Sequence, residues 1–144
     1  MKGNFKPKNP QKYVGDPKNI IFRSSYELKF FNYIDNDPRI IQWASEEMFV
    51  RYMSPVDNKP HKYYPDVVLV KRQSDGTEQT IMIEIKPASQ TRPPEVQKQK
   101  TRRYITEVMT WGVNQAKWKA AEEYCNDRKW KFMIMTEKEL GIKF

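Results

Sequence analysis

Two segments with strand-like hydrophobic patterns flank a tight turn signal. In residues 78–86 (EQTIMIEIK), Ile81, Ile83 and Ile85 recur at the two-residue period of a β-strand, and residues 64–72 (YPDVVLVKR) contain the apolar run Val67 to Val70, typical of a buried strand. Between them, Gln73-Ser74-Asp75-Gly76 predicts a hairpin turn, because it contains the Asp-Gly signal. We therefore predict an antiparallel hairpin in which residues 78–86 return along residues 64–72.

A helix is predicted before this hairpin. Ser24 with Glu27 three residues later is a capping-box pattern, and apolar residues at helical spacing follow it. Asp37-Pro38 ends the segment, because the residue before a proline disfavours helix. Residues 40–55 then predict one or two short strands.

After the hairpin, a long helical region is predicted from about Lys98 to Asp127. We expect a break near Gly112, with Asn114 capping the second half. Residues 129–136 (KWKFMIMT) predict a final strand. This order of elements predicts an α/β fold with a central mixed β-sheet flanked by helices.

Charge narrows the range of partners. The 144 residues carry 26 Lys and Arg against 18 Asp and Glu, a net charge of +8, which suits a nucleic acid or an anionic membrane surface. No apolar run is long enough to span a membrane, and the N-terminus lacks a signal-peptide core, so we expect a soluble cytoplasmic protein. Residues 1–19 are predicted to be an extended basic arm or an ordinary solvated terminus, and residues 20–144 a single domain.

Cysteine and histidine are too scarce for several kinds of site. Cys125 and His61 are each the only residue of their type. An intramolecular disulfide, a cysteine-cluster zinc site and a pair of catalytic histidines are therefore excluded. The available chemistry is that of carboxylates, lysines and a hard metal ion.

Pairing the two hairpin strands brings two carboxylates together. With the turn centred on Asp75-Gly76, Asp66 and Glu84 are predicted to lie roughly opposite each other. Facing carboxylates in a partly buried site repel each other, and a divalent cation such as Mg²⁺ would compensate their charge. Lys86, on the same face one step along, would then point at a phosphate or water beside the metal.

Each of these residues also has a purely structural interpretation. Glu84 and Lys86 could form a solvated face or a cross-strand ion pair. Pro65-Asp66 is a common loop dipeptide, and Glu27 could serve only the capping box.

The combination is more specific than its parts. Glu27 on a first helix, then Pro65-Asp66, then Glu84-Ile85-Lys86, resembles the PD-(D/E)xK nuclease superfamily, which has the restriction-endonuclease-like fold. The resemblance implies that Asp66, Glu84 and the Ile85 carbonyl bind Mg²⁺, with Mn²⁺ as a substitute. It also implies that Lys86 assists the nucleophilic water and that Glu27 completes the site.

A narrower resemblance rests on the stretches FRSSYELKFFNYID, HKYYPD, IEIKP and VNQAKWKAA, which cover about residues 20–136. They are similar to the head completion nucleases of T-even-type tailed phages and, more distantly, to the endonuclease A subunit of heteromeric transposases. The resemblance implies a nuclease that acts on double-stranded DNA, at ends or branched structures, when the phage head is completed. Head or portal proteins would be partners, and the host cytoplasm or the head–tail junction the location. Gln115 and Lys117 would lie near the site.

A basic segment follows the signature strand. It contains one acid, Glu95, and its basic residues after Lys86 are Arg92, Lys98, Lys100, Arg102 and Arg103. Lysine and arginine contacts to phosphate give affinity that does not depend on sequence, so these residues are predicted to bind DNA. A solvated helix face is the alternative. His61 and Tyr63 could contact DNA at the edge of the site, although a satisfied strand-edge histidine is an equal interpretation.

Two further functions compete with a Mg²⁺-dependent endonuclease or end-trimming nuclease. A non-catalytic DNA-end or portal-binding module could retain the fold for head assembly, but it has no need of two facing carboxylates. An RNA-binding basic protein would explain the charge and leave the carboxylate–lysine signature unexplained.

Overall fold

A computed structural model describes residues 2–140 of the chain. Residue 1 of the predicted arm and residues 141–144 of the predicted domain lie outside the described residues. The strands are β1 (Gly3–Asn4), β2 (Ile21–Phe22), β3 (Ile40–Ala44), β4 (Val50–Met53), β5 (Pro60–Tyr63), β6 (Val67–Arg72), β7 (Glu78–Ile85) and β8 (Lys131–Met135). The α-helices are α1 (Ser25–Asn36), α2 (Arg102–Asp127) and α3 (Glu137–Leu140), and two short 3₁₀ helices span Pro10–Lys12 and Ala88–Thr91.

The central sheet confirms the predicted mixed α/β fold. Its strand order is β3-β6-β7-β8, with antiparallel pairs except for the parallel pair β7–β8. A parallel neighbour needs a long crossover connection, and α2 supplies it between β7 and β8. The remaining strands form two separate pairs, β1–β2 and β4–β5.

The predicted β6–β7 hairpin is present, with one correction at its start. Gly76 has φ +86°, a backbone conformation that favours glycine at this turn. β6 begins at Val67, so Asp66 immediately precedes the strand instead of lying on it. Pro65 has no N–H to give to a strand ladder, which explains why regular pairing starts after it.

The two faces of the central sheet carry separate apolar clusters. Ile83 and Ile85 of β7 pack with α1 and the N-terminal segment. Met82 of β7 packs with α2 and the β4–β5 pair. Successive strand residues point to opposite faces, so the even-numbered positions of β7 face α2.

Helix α1 follows the prediction from its start to its end. The Ser24 hydroxyl accepts a hydrogen bond from the Glu27 N–H at 3.2 Å, and Asp37 is the C-cap residue. The helix buries Phe30, Phe31 and Ile34 against the sheet. Local capping signals and the apolar stripe therefore sufficed to define this element.

Helix α2 differs from the prediction in two ways. It begins at Arg102, where Thr101 accepts a hydrogen bond from the Tyr104 N–H at 3.1 Å, so Lys98 lies outside it. It is continuous through Gly112, and Asn114 is a buried residue inside the helix instead of a cap. A glycine costs about 1 kcal/mol relative to alanine inside a helix, and the packing of the surrounding turns outweighs that cost. Across the described part of the chain, no helix combines the length and apolar character of a membrane span.

The N-terminal segment is not an extended arm over residues 2–19. Phe5 and Tyr13 are buried, and both pack edge-to-face against Trp43 of β3. The Lys12 ammonium donates hydrogen bonds to the carbonyl oxygens of Ile34, Asp35 and Asp37, each at 2.9 Å, and so caps the end of α1. Isolated aromatic residues fold this polar segment back onto the sheet, while the boundary at residue 20 stays a prediction.

Candidate active site

Asp66 and Glu84 meet at the end of the β6–β7 hairpin. Val67 pairs with Ile83, so the next step of the same register sets Asp66 opposite Glu84. The Ile85 N–H donates a hydrogen bond of 2.7 Å to Asp66 Oδ2. Glu84 is only 6% exposed, whereas Asp66 is half-buried. The predicted pair of facing carboxylates is therefore present, on the side of the sheet that faces α2.

Burial and like charge perturb the ionisation of the carboxylate pair. Burial raises the pKa of Asp66 well above its usual value, and the charge of Glu84 raises it further. The hydrogen bond from the Ile85 N–H acts in the opposite direction but does not cancel these effects. A carboxyl group with these neighbours favours the neutral form until a cation is supplied.

Tyr63 holds Glu84 in place, which the sequence did not reveal. Its hydroxyl donates a hydrogen bond to Glu84 Oε2, and its side chain is buried at 4% exposure. Burial and the charge of Glu84 both raise the pKa of Tyr63. The sequence suggests that Tyr63 could contact DNA at the edge of the site. Because the side chain is buried, it cannot make that contact. His61 is exposed and lies 2.8 Å from Asp57 Oδ2, the satisfied arrangement that was the alternative.

We expect Tyr63→Phe to destabilise the fold in the absence of metal. Removing the hydroxyl leaves a buried carboxylate oxygen without its donor, which costs about 1–3 kcal/mol. Urea unfolding at neutral pH measures the loss. Tyr52→Phe is the matched control, because Tyr52 is a buried tyrosine on the neighbouring strand and makes no hydrogen bond to a carboxylate within residues 2–140. Equal stability of the two variants would contradict a structural role for the Tyr63–Glu84 bond.

Lys86 directly follows β7 and continues its pairing. Its N–H donates a hydrogen bond to the Met135 carbonyl of β8 at 3.0 Å. Because the ladder extends through this residue, strand alternation sets the Lys86 side chain on the same face as Glu84. The side chain is half-buried. The backbone thus brings two carboxylates and a lysine to one edge of the sheet.

Glu27 has both a structural partner and an electrostatic link to the pair. Its Oε2 accepts a hydrogen bond of 2.7 Å from the Arg23 N–H, one residue before the N-cap. Burial raises its pKa, as do the charges of Glu46 and Glu84, while the Arg23 N–H lowers it. Glu27 therefore stabilises the start of α1, and its pKa responds to the charge of Glu84.

Glu27→Gln separates these two roles. The glutamine oxygen can still accept the Arg23 N–H, so we expect stability to change by less than the roughly 0.5–2 kcal/mol of a lost cap. If Glu27 also binds metal, the variant should need a higher divalent-ion concentration for the same thermal stabilisation. The comparison is a thermal unfolding series across Ca²⁺ concentrations. An unchanged ion dependence would leave Glu27 with a capping role only.

Helix α2 brings Lys117 near the pair but turns Gln115 away. The Lys117 ammonium lies 5.9 Å from the ring centres of both Tyr52 and Tyr63, beside the tyrosine that binds Glu84. Gln115 is exposed and lines a shallow groove along β8 with Phe132. A 3.6-residue helical period separates the two side chains by about 200°, which explains the difference.

The basic segment is exposed beyond Lys86. Arg92 and Arg103 line a cleft of about 510 Å³ together with the buried Asn114. Arg103 is paired with Glu107 at 3.2 Å, but its side chain is 91% exposed. The other basic residues of the segment, Lys98, Lys100 and Arg102, are also exposed. These side chains are available to an external polyanion.

The donor set fits a hard divalent cation only in part. Asp66 and Glu84 provide carboxylate oxygens, and Ile85 provides a backbone carbonyl at the same strand end. Within residues 2–140, no cluster of three or more His, Cys, Asp or Glu side chains is arranged to hold a metal. One oxygen of Glu27 accepts the Arg23 N–H, and the Asp66–Glu84 pair with the Ile85 carbonyl are the candidate ligands at this strand end.

Two comparisons decide the family. The sequence family described as "TnsA-like endonuclease N terminal" matches residues 37–137, which include Asp66, Glu84 and Lys86 but not Glu27. The chain belongs to this endonuclease family. It is also 39% identical over 148 residues to the head completion nuclease of Enterobacteria phage T4, covering 98% of this chain and 96% of that protein.

The family assignment agrees with the architecture. A mixed central sheet between helices fits the restriction-endonuclease-like nucleases, and nucleases of this kind generally use divalent metals. The relationship predicted from the carboxylate–lysine signature is therefore confirmed.

Proposed function

We propose that this protein is a Mg²⁺-dependent nuclease that hydrolyses phosphodiester bonds of double-stranded DNA, with Mn²⁺ as a substitute. The observation that carries the proposal is the facing pair Asp66 and Glu84 beside Lys86 at one strand end, where burial and then the charge of Glu84 raise the pKa of Asp66. Structural ion pairs also perturb pKa values, but here the perturbing neighbour has the same charge. That arrangement is typical of a site that receives a cation.

The residues of the chain have distinct tasks in this proposal. Asp66, Glu84 and the Ile85 carbonyl would hold the ion, with Glu27 as a more distant acidic neighbour. A bound Mg²⁺ supplies Lewis-acid stabilisation for the charge that develops on the phosphate. Lys86 orients the attacking water and adds positive charge beside the phosphate. The Tyr63 hydrogen bond fixes one oxygen of Glu84, which leaves the other oxygen free for the ion.

The direct test is incubation of the purified protein with linear and supercoiled DNA, in Mg²⁺ or in EDTA. We expect cleavage in Mg²⁺ and none in EDTA. DNA binding without cleavage in either buffer would instead support a non-catalytic DNA-end or portal-binding module. Comparing the two DNA forms also distinguishes an internal endonuclease from an end-trimming activity, since a supercoiled circle has no ends.

The relationship to a head completion nuclease suggests the biological setting. We place the reaction at the completion of a phage head, on DNA ends or branched structures. Head or portal proteins are then the expected protein partners. The sites of action would be the cytoplasm of the infected cell and the head–tail junction of the virion.

The exposed basic residues should form part of the DNA track. Each phosphate contact contributes about 0.9 to the slope of log affinity against log salt for duplex DNA. Neutralising Arg102 and Arg103 with glutamine should therefore lower the slope by about 1.8 if both contact phosphate. Binding is measured in Ca²⁺, to limit cleavage. The loss should be similar for unrelated sequences, because phosphate carries no sequence information.

A charge-matched control lies at the other end of the same helix. Arg128→Gln with Lys129→Asn also removes two exposed positive charges, about 39 Å along α2 from Arg102. Asparagine suits Lys129, whose φ is +60°. An equal fall in slope for both double variants would indicate a general charge effect and not a localised DNA track.

A further inference from the structure

The β4–β5 hairpin stands apart from the central sheet and has two unlike faces. Val50, Tyr52 and Tyr63 are buried and belong to the apolar cluster that includes α2. Arg51 and Lys62 are exposed on the opposite face, as strand alternation requires. The hairpin is therefore anchored on one side and offers a charged surface on the other.

Four side chains form an aromatic–cation cluster on this surface: Phe49, Arg51, Lys62 and Tyr64. The two rings are 37% and 46% exposed, and their centres lie 5.8 Å apart at an angle of 53°. The Lys62 ammonium lies 4.6 Å from the centre of the Phe49 ring, and the Arg51 guanidinium lies 5.6 Å from it. Exposed aromatic rings are thus held beside two positive charges.

The two charges are placed unfavourably for the folded protein alone. Arg51 pairs directly with Lys62 across the β4–β5 ladder, and like charges in such a pair destabilise a hairpin. Within residues 2–140, neither has a carboxylate oxygen within 4.0 Å. The face of the Phe49 ring attracts both cations, but a ring carries no net charge. An anionic partner would compensate the positive charges of Arg51 and Lys62, which the fold leaves without a carboxylate.

The cluster is tied to the candidate active site through the chain itself. Tyr64 lies two residues before Asp66, and Tyr63, the last residue of β5, is hydrogen-bonded to Glu84. The hydrogen bond of buried Tyr63 therefore connects the β4–β5 hairpin to the carboxylate pair. Two residues of extended chain span at most about 7 Å, so the backbone of Tyr64 lies close to that of Asp66.

Cations beside exposed aromatic rings match the chemistry of single-stranded nucleic acid. Phosphates meet the cations, and unpaired bases stack on the rings, whereas bases inside a duplex have no free face. We propose that the aromatic–cation cluster binds an unpaired stretch of the DNA substrate beside the cleavage site. In this arrangement Arg51 and Lys62 contact phosphates, and Tyr64 with Phe49 contacts an unpaired base. The position beside the cleavage site rests on the proposed function, and the preference for unpaired DNA deepens it.

The test compares two labelled DNA molecules that share the same duplex. One is blunt, and the other carries a single-stranded overhang. Binding is measured by fluorescence anisotropy in Ca²⁺, and cleavage is measured separately in Mg²⁺. The parent protein should bind the overhang DNA more tightly, and Tyr64→Leu should weaken that binding about tenfold while leaving blunt duplex binding unchanged. Tyr33→Leu is the matched control, because Tyr33 is an exposed tyrosine on α1.

The paired charge variant tests the phosphate contacts independently. Arg51→Gln with Lys62→Gln should reduce the salt slope on overhang DNA by about 1.4, since each single-strand contact contributes about 0.7. Equal affinity of the parent for the two DNA molecules, or an unaltered preference in Tyr64→Leu, overturns the proposal even if the parent cleaves DNA. Overhang preference in a parent that cleaves neither DNA keeps the binding site but overturns the nuclease function and the placement beside a cleavage site.

Discussion

Replacing Asp66 with asparagine should lower DNA cleavage by at least about a hundredfold while the protein stays folded. Stabilisation of phosphate charge by a bound ion is worth several kcal/mol, and each 1.36 kcal/mol is a factor of ten in rate. Asparagine retains an oxygen that can accept the Ile85 N–H, so the local backbone contact is kept. Cleavage is measured in single-turnover reactions with Mg²⁺. Parent-like cleavage by a folded Asp66→Asn protein would reject the site assignment.

The same variant has a signature in stability that does not depend on activity. The pKa of Asp66 is raised in the folded protein, so over a range of pH the folded state holds a proton that the unfolded chain has lost. Its favourable contribution is complete below about pH 4, the pKa of an unperturbed aspartate, and is lost as pH rises through the folded pKa. The free energy of unfolding of Asp66→Asn should therefore exceed that of the parent increasingly with pH, in metal-free buffer.

Addition of Ca²⁺ should reverse this order. An ion that binds only the folded state stabilises it in proportion to the logarithm of its concentration, so the parent should gain thermal stability and Asp66→Asn should gain little. Glu123→Gln, which removes an exposed carboxylate from α2, serves as the control and should follow the parent in both series. Identical pH dependence of parent and Asp66→Asn in metal-free buffer would contradict the raised pKa.

The carboxylate pair could be predicted because its determinants are local. The Asp75-Gly76 signal and the two strand segments predict the hairpin register to within one residue, and the observed register, centred on Asp75, sets Asp66 opposite Glu84. The error at Pro65 was small because one missing backbone N–H delays the ladder without changing the register. Short-range sequence signals were therefore enough to predict the carboxylate pair.

Features that depend on long-range packing could not be predicted. Tyr63 reaches Glu84 only because the β4–β5 hairpin folds over α2, a contact between residues distant in sequence. The continuity of α2 through Gly112 is likewise decided by what the helix packs on, and not by the weak local preference of one glycine. The N-terminal segment shows the same limit, since nothing near Phe5 in the sequence indicates its contact with Trp43.

Lys86 distinguishes a catalytic role for this strand end from a binding role. If it orients water and stabilises charge in the transition state, Lys86→Met should lower the single-turnover cleavage rate about 10²–10³-fold. DNA affinity in Ca²⁺ and the stabilisation by Ca²⁺ should change little, because the carboxylates and the exposed basic residues remain. Lys131→Met, which removes an exposed lysine from β8, is the control for the loss of one charge.

The pattern of losses in Lys86→Met distinguishes three roles. A slower cleavage step with unaltered DNA and Ca²⁺ binding identifies a group that acts in the transition state. Weakened DNA affinity with a parent-like cleavage rate would make Lys86 a phosphate contact only. A parent-like rate and affinity would mean that the lysine is a solvated strand-end cation, and the proposed hydrolysis would then depend on Asp66, Glu84 and their ion without it.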